Sequence, residues 1–208
     1  MTEQPGAGDL ARPQQVFVIS GPSGVGKNTV AQRLCRQGLA VRAVTATTRE
    51  PRPGEQDGVD YHFVSTEEFE RWIEQGRLIE HTSYVGHYYG TPVRSVNRAA
   101  ESGLPVLLTI DVDGGLQIKG RWPEVTLIFL KPPSEEELKR RLDQRGRDDP
   151  VSVQQRLRRA RQEMEYAERY DRVVVNDDLE EACKEIAAIL ARNYPAHGDG
   201  VGSHQSER

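Results

Sequence analysis

"GPSGVGKNTV", residues 21–30, is the stretch on which the fold turns. It follows a short apolar run, "QVFVIS" at 15–20, and opens into a helical pattern, "NTVAQRLCRQ" at 28–37. From Gly21 through Pro22, Ser23, Gly24, Val25 and Gly26 to Lys27 the chain reads G-x-x-x-x-G-K. Glycines at that spacing let successive backbone N–H groups turn inward around an anion, in conformations costly for a residue with a Cβ. The helix that follows offers its positive end, and Lys27 brings a full charge to the outer phosphates. Between a buried strand and a helix the pattern predicts a phosphate-binding loop; alone it also describes a glycine-rich turn with no ligand. Asn28 stands where such loops usually carry Ser or Thr. Its amide oxygen is a hard neutral donor for Mg²⁺, and Thr29 is available to a phosphate one residue on.

Outward from the loop, five short apolar runs recur: Val16–Ser20, Val41–Thr45, Pro105–Asp111, Val125–Leu130 and Arg172–Asn176. They lack polar alternation, as expected of strands buried on both faces of a parallel sheet. Helical patterns separate most of them, and Leu179, Ala182, Cys183, Ile186 and Leu190 repeat at amphipathic spacing. The alternation predicts a three-layer α/β fold of the P-loop NTPase type, with a five-stranded parallel core sheet and right-handed crossovers. Two stretches break it. Residues 46–98 carry Pro and Gly turns, tyrosines and short β-like pieces, and residues 134–170 form an arginine-laden helical pair joined at "QRGRDDP". In the second, Val153, Leu157, Ala160, Met164 and Ala167 make a core stripe, leaving many arginines on a solvated face. Insertions of this kind are expected to hold the moving, substrate-gripping parts. The division is then one domain over 15–194, with its core in 15–45, 99–133 and 171–194. Polar tails rich in Gly, Pro or Ser flank it at 1–14 and 195–208 and are expected to be flexible.

A length of 208 residues suits one domain, and a net charge of −4 gives no global reason to expect nucleic acid or an anionic membrane as partner. No apolar run approaches the ~20 residues of a membrane span, and "MTEQPGAGDLARPQQ" lacks a signal-peptide pattern. A cytoplasmic address is the expectation. Cys35 and Cys183 fall on apolar helix faces and are expected to be reduced core residues. The five histidines show no metal-ligand spacing.

The chemistry lies in two further stretches. "PVLLTID", residues 105–111, is a strand ending in Asp111, the pattern of the acid beside the metal of a nucleoside-triphosphate site. With the loop it predicts a Mg²⁺-nucleotide binder, the ion held largely by substrate phosphates and by waters on Asp111. In "TATTREPRPGEQDGVDYHF", residues 45–63, Arg49 and Arg52 lie three apart across Pro51. Two guanidinium forks on a stiffened turn suit bidentate phosphate recognition; an exposed basic loop with core tyrosines is the alternative.

The elements "SGPSGVGKNT", "TTREPRPGE", "GVDYHF", "LIEHTSYVGHYYGTP", "LLTIDVDGG" and "VNDDL" resemble guanylate kinases in order and spacing over roughly residues 15–190. The resemblance implies transfer of the ATP γ-phosphoryl group to GMP or dGMP. It assigns Arg49, Arg52, Tyr61 and Tyr89 to a GMP-phosphate clamp. Thr45 and Thr91, with Gly90 in the same "YYGT" element, fall at the guanine, and Glu80 accepts from guanine N1–H and the 2-amino group. Arg141, Arg145 and Arg156 match lid arginines that, with Lys27 and Arg49, carry the catalytic charge. The partners implied are ATP and GMP or dGMP, with Mg²⁺ as cofactor, in a monomer or small homo-oligomer that engages neither membrane nor nucleic acid. The chain departs from the family at Thr109, where the first of two strand acids usually stands, a position that bears on GMP affinity and base discrimination. Two other readings remain beside this one. A catalytically inactive guanylate-kinase-like binding module usually has an eroded loop, unlike this one, and a related P-loop kinase would act on another small phosphate.

Overall fold

Val16, Phe17, Val18, Ile19 and Ser20 are all fully buried. In the computed structural model, which describes residues 10–84, 86–144 and 150–194, they form the central strand of a sheet. In chain order the elements begin with β1 (Val16–Ser20), α1 (Lys27–Arg36), β2 (Val41–Arg42), β3 (Ala46–Thr47) and β4 (His62–Phe63). There follow α2 (Thr66–Glu74), the hairpin of β5 (Leu78–Tyr84) and β6 (His87–Pro92), and α3 (Val93–Ala100). Next come β7 (Val106–Thr109), α4 (Val112–Arg121) and β8 (Thr126–Lys131). The last are α5 (Glu135–Gln144), α6 (Pro150–Glu165), β9 (Arg172–Val175) and α7 (Leu179–Asn193).

The main sheet is parallel and five-stranded, in the order β2-β7-β1-β8-β9, in agreement with the α/β expectation. Alternate residues of each strand face opposite layers. Val16, Val18, Val106, Leu108, Leu127 and Phe129 pack with Val93, Val96, Ile118 and Trp122 of α3, α4 and the segment after it. Phe17, Ile19, Leu107, Ile128 and Leu130 pack with Leu34 of α1 and with Ala182, Ile186 and Leu190 of α7. Each such buried aliphatic or aromatic side chain contributes ~1.5–3 kcal/mol, so the central strands carry much of the stability. Cys183 is buried in the second core and Cys35 half-buried at its edge, both as free thiols.

Two of the apolar runs differ from their expected form. The run Val41–Thr45 is strand only at Val41–Arg42, because the chain leaves the main sheet after Ala43 N–H bonds Leu107 O and enters a second sheet at Ala46. In β9 only Val174 is buried, while Val173 and Val175 are 41% and 42% exposed. It is an edge strand with one face covered, so the expectation of burial on both faces fails there.

The second sheet has the order β4-β3-β6-β5 and is mixed. Its small core joins Ala46, Phe69, Trp72 and Leu78, with the Tyr88 ring stacked on Phe69 at 5.3 Å. Gly90 lets β6 press into this core: a Cβ there would lie 2.9 Å from both Phe69 Cζ and Glu80 O. The helical pair α5–α6 has its own contact, Leu138 and Leu142 against Ala160 and Leu157. Of the expected core stripe in this pair, Met164 and Ala167 instead pack on the main core, and Val153 has no described side chain.

Candidate active site

Gly21, Gly24 and Gly26 adopt φ of 140°, 89° and 100°, in the region that L side chains rarely enter. Space forbids a side chain as well. A Cβ on Gly21 would run into Leu130 O, and one on Gly26 would lie 2.6 Å from Asn176 Nδ2. That amide nitrogen donates to Val25 O at 2.7 Å, fastening the loop to the end of β9. Helix α1 starts at Lys27 with no side chain capping its N–H groups, which leaves its positive end directed at the loop. Lys27 Nζ donates to Gly21 O at 2.5 Å and Pro22 O at 3.2 Å, across the loop it is expected to serve.

A cavity of about 320 Å³ connects this loop with the second sheet. Gly21, Ser23, Gly24, Gly26, Lys27 and Asn28 line its loop side; Thr45, Arg52, Tyr61, Glu80, Tyr89 and Gly90 line the opposite side. Thr109, at the end of β7, and Asp111, at the start of α4, lie between, and Arg156 enters from α6. Arg156 Nη2 donates to Ser23 Oγ at 2.6 Å, tying α6 to the loop.

Glu80 is the deepest charge. It is 4% exposed at an irregular register between β5 and β6, and accepts from Thr91 Oγ1 at 2.6 Å. Burial drives its pKa up to about 7, against the Thr91 bond and with help from the nearby Asp111 charge. Thr91 itself is fully buried and sits behind Glu80, not in the cavity wall. Helix α4 comes close enough that a Cβ on Gly114 would lie 2.7 Å from Glu80 Oε2. Asp111 caps the same helix, accepting from Gly114 N at 2.8 Å, and its second oxygen lies 3.6 Å from Arg159.

The expected clamp residues divide. Arg52, Tyr61 and Tyr89 reach the cavity, whereas Arg49 lies behind it. Its fork is bidentate on Glu55 at 2.9 and 3.0 Å, and its guanidinium lies 5.5 Å over the Tyr61 ring. Glu55 also accepts from Arg52 N at 2.7 Å. Burial opposes its charge, but these donors hold its pKa below the usual carboxylate value. Arg141 also lies apart, donating to Glu137 at 2.7 Å and to Asn176 O at 2.9 Å. It lines a second groove of about 350 Å³ with Gly24, Gly26, Thr29, Asn176, Asp177 and Leu179. Val25 is buried in the core. Arg145 lies outside the described residues.

Sequence reasoning missed five lining residues: Thr82, Tyr84, Arg159, Glu163 and Ile110, the last beside Asp111. The first two follow Glu80 at i+2 and i+4 on β5, a strand-period signal in plain view. Arg159 and Glu163 follow Arg156 at i+3 and i+7, one face of α6, hidden by the arginines around them. Among the described residues no cluster of three or more His, Cys, Asp or Glu could hold a metal. Asp111 and Asn28, oxygen donors on one cavity, do suit a hard cation that keeps its waters and takes phosphate oxygens. No helix among the described residues is long and apolar enough to cross a membrane.

The sequence pattern of the family described as Guanylate kinase matches residues 13–193. A guanylate kinase of Gloeobacter violaceus is 48% identical over 183 residues, covering 87% of this chain and 89% of that protein. One from Thermobifida fusca is 44% identical over 192 residues, covering 92% and 97%. The crystal structure of guanylate kinase from Anaplasma phagocytophilum superposes with a TM-score of 0.71 at 37% identity, covering 86% of each chain.

Proposed function

The chain belongs to the guanylate kinase family, and from that premise we propose how its residues carry out the ATP-dependent phosphorylation of GMP. The enzyme is a nucleoside monophosphate kinase that moves the γ-phosphoryl group of ATP to GMP, giving ADP and GDP. The observation that carries the residue assignments is one cavity with a glycine loop and Lys27 at one end and the buried Glu80, backed by Thr91, at the other.

ATP sets its phosphates on the backbone N–H groups of the Gly21–Thr29 loop, Pro22 apart, with Lys27 on the outer ones. The second groove, which continues past Thr29 to Arg141, Asn176 and Asp177, receives the adenosine. GMP enters from the other side. Arg52, Tyr61 and Tyr89 take its phosphate, with Arg49 behind them, while Thr45 and Glu80 read the base, Thr91 holding Glu80 from behind. Glu80 accepts from N1–H and the 2-amino group; adenine lacks that pair of donors and would leave a buried carboxylate unpaired, a penalty worth ~10⁴-fold or more in discrimination. Nothing in these assignments reads the ribose 2′-hydroxyl, so dGMP is a second acceptor.

Transfer is direct and in line, with catalysis supplied by position and charge more than by a protein base. Asn28, and Asp111 through water, are the residues that would hold Mg²⁺, which when bound neutralises the β- and γ-phosphate oxygens. Arg156, beside Ser23, and Arg141 and Arg145 supply the lid charge. Residues 46–98 and 134–170 act as the closing regions on the core formed by 15–45, 99–133 and 171–194, excluding water from the transfer. The same reading has a monomer or small homo-oligomer acting on free nucleotides in the cytoplasm, away from membranes and nucleic acid; a net charge of −4 supports it against polyanion partners.

A coupled ADP-release assay with ATP and Mg²⁺ across GMP, dGMP, AMP, CMP and UMP tests the assignment. Turnover confined to GMP and dGMP supports the Glu80 pocket and shows that Thr109 and Asn28 are tolerated. Comparable turnover on AMP would remove Glu80 from base recognition.

A further inference from the structure

The assigned arginines leave one cation of the cavity without a role. Arg159 lines the cavity from α6, one helical turn beyond Arg156. Its Nε donates to Glu163 Oε1 at 2.9 Å, a bond of ordinary strength within the same helix. Its Nη2 lies 3.6 Å from Asp111 Oδ2, an ion pair too long for a direct hydrogen bond. The guanidinium stands 4.8 Å over the Tyr84 ring on β5. One nitrogen is thus anchored to the lid helix, another is held loosely, and the plane is steadied by an aromatic face.

The position matters more than the contacts. Asp111 caps α4 two residues past β7 of the main sheet, and Tyr84 belongs to the acceptor sheet. Arg159 touches both, and so sits at the junction where a phosphoryl group must pass from one side to the other. Arg156, by contrast, is committed to Ser23 within the glycine loop. Glu163 also lines the cavity and is held partly buried; burial raises its pKa, while the Arg159 and Lys27 charges oppose that shift. A carboxylate facing two incoming polyanions would repel them unless a cation accompanies it, and Arg159 is that cation.

We propose that Arg159 is a further catalytic arginine of the GMP kinase reaction, anchored on Glu163 and exchanging its loose contact with Asp111 for the transferring phosphoryl group. The exchange is favourable in direction, because the phosphates of ATP and GMP together carry more negative charge than one carboxylate held at 3.6 Å. The inference rests on the GMP-kinase reading.

Wild-type turnover of GMP is measured first, so that failure of that premise shows before any variant is made. Arg159→Ala is then expected to lower kcat by roughly 10- to 100-fold, below the full worth of a dedicated arginine finger because other arginines remain. KM for GMP and for ATP should move less than about threefold, since the arginine acts mainly when charge is in transit. Arg159→Lys should recover only part of kcat, as it keeps the charge without the fork. Titration calorimetry gives the second readout: affinity for fluoroaluminate with ADP and GMP should fall by about the same factor as kcat, while binary affinities for GMP and ADP hold. Unchanged kcat and unchanged fluoroaluminate affinity in Arg159→Ala would overturn the proposal. So would a parallel loss of both binary affinities with a lowered Tm, which would make Arg159 a brace for the lid.

Discussion

The two ends of the cavity are built from different materials. The donor end is backbone: Gly21, Gly24 and Gly26 in left-handed conformations, with Asn176 bonding the Val25 carbonyl from behind. The acceptor end is side chain: Thr45, Arg52, Tyr61, Glu80 and Tyr89 converge from segments far apart in sequence. A backbone cradle carries no titratable group and reads an anion by shape and dipole. A side-chain pocket reads hydrogen-bond donors one by one, and its buried carboxylate makes it sensitive to pH. The difference places generality at one end and selectivity at the other.

The largest effect should come from breaking the donor end at Lys27, the charged residue of the glycine loop itself. Lys27→Ala is expected to reduce kcat by ~10³-fold or more, whatever the acceptor, because the lost charge faces the transferring phosphate. GMP binding without ATP should be unchanged, and calorimetry on that binary complex checks the separation. A comparable loss of GMP affinity would mean that the two ends are not independent.

Next is Glu80→Gln. It keeps the shape and the partner Thr91 but replaces a two-oxygen acceptor by an amide that must present a donor to one guanine N–H. kcat/KM for GMP is expected to fall by on the order of 10²–10³-fold, with the KM of ATP little altered. The ratio of GMP to AMP turnover is the sharper reading, and it should collapse toward unity.

How much of this was legible depended on which end was read. The loop needed seven consecutive residues and a neighbouring strand, so Gly21 to Lys27 declared themselves, as did β1, β7 and β8 through unbroken apolar runs. The shortness of β2 did not show, because Val41 to Thr45 look alike in composition while the chain changes sheets at Ala43. Nor did the exposure of Val173 and Val175, since a sequence does not say which parallel strand stands at the edge. At the acceptor end residue types pointed to phosphate and base, but their convergence rested on family resemblance. No spacing rule brings Arg49 onto Glu55 or buries Thr91 behind Glu80. Arg159 and Glu163 were obscured for a simpler reason: in "RLRRARQE" one functional face is indistinguishable from a solvated one until α6 is set against the cavity.

The pH response separates the ends in a single titration. Glu80 has its folded-state pKa raised to about 7 by burial, against an ordinary value near 4.3 for a free side chain. The folded protein therefore keeps a proton that the unfolded chain has lost. Stability from this group is full below about pH 4.3, falls as pH rises to about 7 and is level above; its total is on the order of 4 kcal/mol. GMP favours the ionised form, because guanine donates to it, so binding at pH 6 should release about one proton, seen in calorimetry as a buffer-dependent enthalpy. GMP affinity should weaken by up to about tenfold per unit as pH falls below 7. The GMP phosphate titrates near pH 6 as well, so the same series on Glu80→Gln isolates the side chain. ATP carries a terminal phosphate that titrates in the same range, so its own pH dependence should be identical in wild type and Glu80→Gln. A difference between the two there would break the contrast.

The smallest effect concerns how the acceptor end aims its cations. Glu55 holds the Arg49 fork and the Arg52 N–H together, closing the turn from 49 to 55. Two consequences of removing its charge oppose each other. Repulsion of the GMP phosphate would lessen, which lowers KM; the fork and the turn would loosen, which raises it. Arg49 Nη1 donates to Glu50 O as well as to Glu55, so Nε and the outer Nη2 N–H are what it can turn to a phosphate while bound to Glu55; the carboxylate orders the arginine more than it competes for it. Glu55→Gln is therefore expected to raise KM for GMP several-fold, roughly the loss of a partly exposed charge-assisted pair, with kcat and KM for ATP nearly unchanged. A lowered KM would show that Glu55 occupies Arg49 at the expense of GMP, and the acceptor end would then be gated by one of its own carboxylates, a control for which the backbone cradle of the donor end has no equivalent.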